Sequence, residues 1–311
     1  MERPEEDTVE FERPSPLESL LYVRRDARVR VSVGAVSDRG NVRGENQDHY
    51  LVLRRTRTQE VLLTNMARED FFNPVDESYA IVVADGVGGA AFGGIASRLA
   101  LRTTWELAGR AVCSIMRTDA LDAQEVKRRA DAYAVAIQRA FREEGEVCPE
   151  LAKMGTTWTS AFIVGDHAVV AHIGDSRAYL YRQGTARRLT RDHTLAQDLL
   201  DAGLPPEDTV AYAHMLTRCF SSSASPVSPD VSHARLHDGD CLLLCTDGLS
   251  DLMDDAELAS HIDRYSDPQA ACNALLRLAL ARGGRDNVTV VVARVTVGKA
   301  AEAGGRELGD A

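Results

Sequence analysis

Residues 157–184 read TWTSAFIVGDHAVVAHIGDSRAYLYRQG. Three short runs, 157–164, 167–173 and 178–182, are rich in β-branched and aromatic residues and have the length of strands. Gly165-Asp166 and Gln183-Gly184 supply hairpin turns. Strands joined by such short turns run antiparallel, because a parallel return needs a crossover of a dozen or more residues. This block therefore predicts an antiparallel sheet.

The same reading extends outward in both directions. Runs at 29–36, 48–53, 79–84, 241–246 and 288–295 read as further strands, that at 79–84 being continuously apolar and hence buried. Helical spacing appears at 95–109, through Ile95, Leu99, Thr103 and Leu107, and at 122–144, through Val126, Tyr133, Ile137 and Phe141. Shorter helices are predicted at 194–202 and 255–265, and a longer one at 268–282. Residues 53–79 read as a loop-like insertion, and 221–228 either as a flap or as plain polar loop. No repeat is visible and no linker divides the middle. The expectation is one α+β domain over 28–297, preceded by a partly disordered extension at 1–27 and followed by a tail at 298–311.

Composition narrows the function classes. Among 311 residues the hydrophobic fraction is 44% and the charged fraction 27%, which are ordinary globular values. The formal charge of −11 argues against nucleic-acid binding, which needs clustered Lys and Arg on phosphates. No apolar run approaches the ~18 residues of a membrane span, and the charged N-terminus has no apolar signal core. The sequence thus reads as a cytoplasmic protein with no membrane insertion. The six cysteines agree with that compartment. Cys241 and Cys245 would lie about 13 Å apart along one strand, too far for a disulfide, so buried free thiols are expected.

The residues that carry chemistry are acidic and stand at the ends of these apolar runs. Asp48 opens one, Asp85 and Asp247 each follow one, Asp175 lies after another, and Asp286 precedes the last. Converging carboxylates repel one another unless cations neutralise them, and hard oxygen ligands suit Mg²⁺ or Mn²⁺ better than zinc. Each Asp-Gly taken alone is only a common turn dipeptide. The histidines show no zinc-binding spacing, and His172 and His193 read as hydrogen-bonded structural residues. The glycines at 86–94 lack the ending of a P-loop.

Eight blocks in order resemble the metal-dependent protein phosphatase type 2C family in its bacterial form. They are Asp38-Arg-Gly-Asn-Val-Arg43-Gly-Glu-Asn46-Gln-Asp48, Ala84-Asp-Gly-Val-Gly-Gly89, Met154-Gly-Thr-Thr157, His172-Ile-Gly-Asp-Ser-Arg177, Leu189-Thr-Arg-Asp-His193, Leu216-Thr-Arg218, Cys245-Thr-Asp-Gly-Leu-Ser-Asp251 and Arg285-Asp-Asn287. The resemblance implies two packed antiparallel β-sheets flanked by helices. It implies a dinuclear Mn²⁺ or Mg²⁺ centre held by Asp48, Asp85, Asp247, Asp286 and the carbonyl of Gly86. A metal-activated water would hydrolyse phosphoserine or phosphothreonine, with Arg43 gripping the substrate phosphate. Asp175 and Asp251 match ligands of a third, weaker ion that shares Asp247, and Asn287 is expected to hold its loop rather than to ligate. Phosphorylated proteins are the implied substrates, in opposition to a bacterial Ser/Thr kinase. A catalytically weak phosphatase-like domain that binds phosphoproteins is the alternative. Two departures stand out. Many eukaryotic members have a proton-donating His where Val87 stands, and valine cannot transfer a proton. Residues 219–226 also differ from the family pattern.

Overall fold

Alternate residues of a strand face opposite ways, and in Cys-Leu-Leu-Leu-Cys at 241–245 both ways are buried. Leu242 and Leu244 face one apolar core; Cys241, Leu243 and Cys245 face another. A strand buried on both sides must sit inside a layered structure, and the computed structural model shows that layering. It describes residues 28–57, 63, 76–87, 92–110, 123–223 and 226–298.

One five-stranded sheet orders β1 (Arg28–Asp38), β13 (Val288–Gly298), β12 (Cys241–Cys245), β8 (Arg177–Arg182) and β9 (Thr185–Arg188). The second orders β11 (Asp230–Arg235), β7 (His167–Ile173), β6 (Trp158–Val164), β3 (Asp76–Ala84) and β2 (His49–Arg57). Every pairing is antiparallel. Three two-residue strands, β4 (Gly86–Val87), β5 (Gly155–Thr156) and β10 (Phe220–Ser221), form a small third sheet.

Helices α1 (Gly93–Arg110) and α2 (Ala123–Val147) cover the second sheet, packing Ala96, Ala100, Ile137 and Phe141 against Val82, Ala84 and Ile173. Helices α6 (Asp255–Arg264) and α7 (Pro268–Ala281) cover the first, packing Leu258, Ile262, Cys272 and Leu275 against Leu243 and Val290. Between the sheets lie Ile81, Val83, Ile163, Val170, Leu242, Leu244, Val291 and Ala293. The result is the expected four-layer α+β sandwich, with three apolar cores. The shorter helices are α3 (Leu195–Asp201), α4 (Pro206–Thr209) and α5 (Asp247–Ser250), the last burying Leu249 in the core under the first sheet.

Several details differ from the sequence expectation. The stripe predicted for α1 runs through Ile95 and Leu99, but the buried face is Ala96, Ala100, Leu101 and Thr104. Small residues let the helix approach the sheet closely, and the larger ones flank it. Residues 53–79 are not all insertion: β2 and β3 pair out to Arg57 opposite Asp76. The remainder of that segment lies outside the described residues, apart from Leu63, as do 1–27, 299–311 and Cys113. The five described cysteines are free, and burial pushes the Cys245 and Cys272 thiols up to about 12. No helix among the described residues is long and apolar enough to cross a membrane.

Candidate metal centre

The acidic residues converge because the strands that carry them end on one side of the sandwich. Asp48 immediately precedes β2, Asp85 follows β3, Asp175 lies between β7 and β8, and Asp286 lies two residues before β13. Asp247 opens α5 directly after β12 and Thr246, and Asp251 caps the end of that helix. Two sheets therefore contribute to one cluster. Thr246 joins them: its Oγ1 donates to Asp48 Oδ2 (2.8 Å) and accepts from the Thr289 amide (3.0 Å).

Backbone contacts fix the ligand-bearing loops. Asp85 exchanges hydrogen bonds with the Thr pair of the Met-Gly-Thr-Thr block. Its carbonyl accepts from the Thr157 amide (2.9 Å) and Thr156 Oγ1 (2.7 Å), and its amide donates to Thr157 Oγ1 (2.9 Å). Gly174 has φ +112°, and an added Cβ would lie 2.5 Å from the Thr157 side chain, so only glycine fits beside Asp175. Its amide donates to His193 Nδ1 (3.0 Å), while His172 bridges Thr159 and the Arg191 carbonyl. Both histidines are thus structural, as expected. Asn287 holds the Arg43 loop: Nδ2 donates to the Arg39 and Glu45 carbonyls (2.9 Å each), and Oδ1 accepts from the Gln47 amide (2.8 Å). Asp38 caps the same loop through the Gly40 amide (2.8 Å). Gly86 continues from Asp85 into β4, with Val87 beside it against Gly155.

The electrostatics are those of several carboxylates buried close together. Burial, and then the charges of Asp48, Asp247, Asp175 and Asp286, hold the Asp85 carboxyl well above the usual carboxylate range. Burial likewise raises Asp48 to about 7 and Asp251 to about 6, and raises Asp175 strongly. Asp48 is only 3% exposed, yet its Oδ1 has no hydrogen-bond partner, and neither does the buried Oδ1 of Asp247. Buried oxygens left unpaired are costly unless something else binds them. An all-oxygen donor set of this charge fits hard divalent cations such as Mn²⁺ or Mg²⁺.

Two cations of the protein itself border the cluster. Arg43 Nη2 pairs with Asp286 Oδ2 at 2.5 Å while remaining 57% exposed. His214 was not singled out by the sequence, since no motif contains it. Its Nδ1 lies 3.8 Å from Asp247 Oδ2 and 3.7 Å from Asp251 Oδ2. Asp247 chiefly raises the imidazole to about 9, with burial opposing it and Asp251 adding a smaller rise. Two overlapping groups are close enough to share an ion: the ligand atoms of Asp85, Asp175 and Asp247 lie within 4.8 Å of one another, and so do those of Asp247, Asp251 and His214, while Asp48 and Asp286 fall in neither group. Asp175 and Asp251, expected to share one ion with Asp247, thus fall into different groups. Residues 221–223 lie against α2 rather than over this cluster, with Ser222 Oγ donating to the Phe141 carbonyl (2.9 Å).

The protein phosphatase 2C family model matches residues 62–281. The chain belongs to the protein phosphatase 2C family. The match contains Asp85, Asp175, Asp247 and Asp251, while Arg43, Asp48 and Asp286 lie outside it; it is the structure that brings these to the same cluster. Among curated relatives, the serine/threonine protein phosphatase PstP of Mycobacterium tuberculosis is 34% identical over 230 residues. That alignment covers 72% of this chain and 42% of PstP, so this chain spans less than half of that relative. The serine/threonine phosphatase stp of Listeria welshimeri is 29% identical over 264 residues, covering 82% of this chain and 92% of the relative. The solved catalytic domain of PstP in complex with two manganese ions superposes with a TM-score of 0.67 at 31% identity, covering 86% of this chain and all of that one. The 2C sandwich is therefore shared.

Proposed function

We propose that this protein is a metal-dependent protein serine/threonine phosphatase. The observation that carries the proposal is the convergence of six carboxylates from both sheets, two of them with unpaired buried oxygens, on a family scaffold whose solved relative holds two manganese ions. Asp48, Asp85, Asp247, Asp286 and the Gly86 carbonyl would hold the dinuclear Mn²⁺ or Mg²⁺ centre. When bound, such ions activate water as a nucleophile at neutral pH and neutralise phosphate charge.

The chain's own residues supply the rest. An uncompensated acidic cluster would repel a phosphate dianion, so substrate entry and cation binding are coupled electrostatically. Arg43 stands at the exposed edge of the cluster, where its planar fork can take two phosphate oxygens. Asn287 and Asp38 keep the Arg43 loop in register with Asp286. Thr156 and Thr157 hold the backbone of Asp85 in place. Val87 offers no proton, so protonation of the leaving serine or threonine falls to another group. That the chain carries all six of these aspartates supports an enzyme over a phosphoprotein-binding module. The biological reading is reversal of a Ser/Thr kinase on phosphoprotein substrates in the cytoplasm. The test is hydrolysis of p-nitrophenyl phosphate and then of phosphoserine and phosphothreonine peptides, with Mn²⁺ and with EDTA. Turnover should require the ion; full activity in EDTA would overturn the proposal.

A further inference from the structure

Behind Asp48 the apolar strands carry a row of hydroxyls. Ser37 of β1 stands directly across from Thr289 of β13. Thr246, the residue after β12, flanks Thr289 on the other side, its amide donating to the Thr289 carbonyl (3.1 Å). Both threonines are fully buried, so their polar atoms need partners within the protein. Those partners run in one direction. The Asp48 amide donates to Asn46 Oδ1 (3.2 Å), which turns Asn46 Nδ2 toward Ser37 Oγ as donor (2.8 Å). A serine oxygen that accepts there keeps its single proton for Thr289 Oγ1, 2.8 Å away. The Thr289 hydroxyl then has its own proton to give, and its other side-chain partner is the Asp48 carboxylate. The Thr289 amide donates to Thr246 Oγ1 (3.0 Å), which directs the Thr246 proton to Asp48 Oδ2 (2.8 Å). The ring closes at Asp48, where it began, and leaves Asp48 Oδ1 without a partner.

Resting on the metal-centre reading above, we propose that Asn46, Ser37, Thr289 and Thr246 form a one-way hydrogen-bond circuit that orients Asp48 as a carboxylate ligand, with Thr289 as its central positioning residue. Each hydroxyl proton in the circuit points toward the carboxylate, a group that only accepts. Such donors favour the charged form that burial opposes. They also occupy one side of the carboxylate, so the partnerless oxygen is the one offered to a cation. Thr289 is central because it receives from Ser37 through its side chain and directs Thr246 through its amide. None of the four is itself a ligand; each acts through Asp48.

The test is the Mn²⁺ affinity of the full chain, stripped with EDTA and measured by equilibrium dialysis. Thr289→Val keeps the branched shape and removes the hydroxyl. It should weaken Mn²⁺ binding by about tenfold or more, the scale of a lost partner behind a metal ligand. Thr289→Ser restores the hydroxyl and should recover most of that loss. Ser37→Ala, one hydrogen bond further from Asp48, should weaken binding in the same direction by a smaller factor. In an Asp48→Asn background, Thr289→Val should add little, because the charge it serves is gone. A threonine with a merely structural role would lower melting in EDTA and leave these affinities alone. Unchanged Mn²⁺ binding in Thr289→Val overturns the circuit, as does a loss that serine does not recover, or an equal loss with and without the Asp48 charge. Should Thr289→Val not fold, unchanged binding in Ser37→Ala is the overturning result. Failure of wild type to bind Mn²⁺, or wild-type affinity in Asp48→Asn, would instead overturn the metal-centre reading, and the circuit with it.

Discussion

Removing one oxygen ligand from a cluster like this changes charge more than shape, which makes Asp→Asn the cleanest probe. Asp247 belongs to both carboxylate groups and has a buried oxygen without a partner, so nothing else can replace it. Asp247→Asn should lower phosphatase turnover by at least about a hundredfold, through weakened cation binding. Turnover near wild type at saturating Mn²⁺ would remove Asp247 from the site. Arg43 makes a different prediction because it holds no cation. Its pair with Asp286 is exposed, and exposed pairs contribute little to stability. Arg43→Ala should therefore leave melting and tight Mn²⁺ binding intact. It should lower kcat/KM by about tenfold to a hundredfold, the scale of a lost charge-assisted contact to phosphate. Arg43→Lys should restore part of that loss, since it keeps the charge without the fork. Loss of the tight ions in Arg43→Ala, measured by calorimetry, would reassign the residue.

The short helix α5 shows how an element positions a candidate ligand. Asp247 is its first residue, and Gly248 follows with the Asn287 carbonyl packed over it; an added Cβ would lie 1.9 Å from that oxygen. Gly248→Ala should thus push α5 away from the loop before β13 and destabilise the fold by about 1–3 kcal/mol. It should weaken Mn²⁺ binding as well, because Asp247 and Asp286 flank the contact. A variant that melts and binds as wild type would contradict this packing. Elements of this kind mark where the sequence was legible. Strands β3, β7, β12 and β13 declared themselves because burial on both faces leaves nearly continuous apolar runs, and β6 through its β-branched and aromatic residues. Strands β9 and β11 did not: they are edge strands, Thr-Ala-Arg-Arg and Asp-Val-Ser-His-Ala-Arg, with too few buried positions to show a period. The two-residue strands β4, β5 and β10 are too short for any periodicity. Asp48, Asp85, Asp247 and Asp286 were legible from their blocks, whereas His214 was not. Its neighbours Ala213 and Met215 carry no pattern, and its place at the cluster comes only from the chain's return at Leu216, which bridges to Thr194.

At the scale of the whole molecule, gathering buried acids in one place costs stability. The Asp48 carboxyl is raised from 3.8 to about 7, chiefly by burial. Between those values the folded protein keeps a proton that the unfolded chain releases, so this group makes the metal-free fold less stable as pH rises from about 4 to about 7, and the loss persists above. His214, raised to about 9, acts in the same direction between its usual 6.5 and that value. His172, lowered to about 3 mainly by burial, acts oppositely below 6.5. Comparing wild type with Asp48→Asn cancels both histidines and leaves the carboxyl together with its coupling to Asp85. The asparagine can still accept from Thr246 but never ionises, and it also relieves the repulsion on Asp85. In EDTA, Asp48→Asn should therefore melt above wild type, by a margin that widens between pH 5 and pH 8. Each kcal/mol recovered corresponds to about 2–4 °C in a domain of this size. Saturating Mn²⁺ should reverse the order, because the ion stabilises only the fold that binds it and wild type binds it better. A margin that stays flat with pH in EDTA would mean that Asp48 is not held in the buried, unpaired state the structure shows.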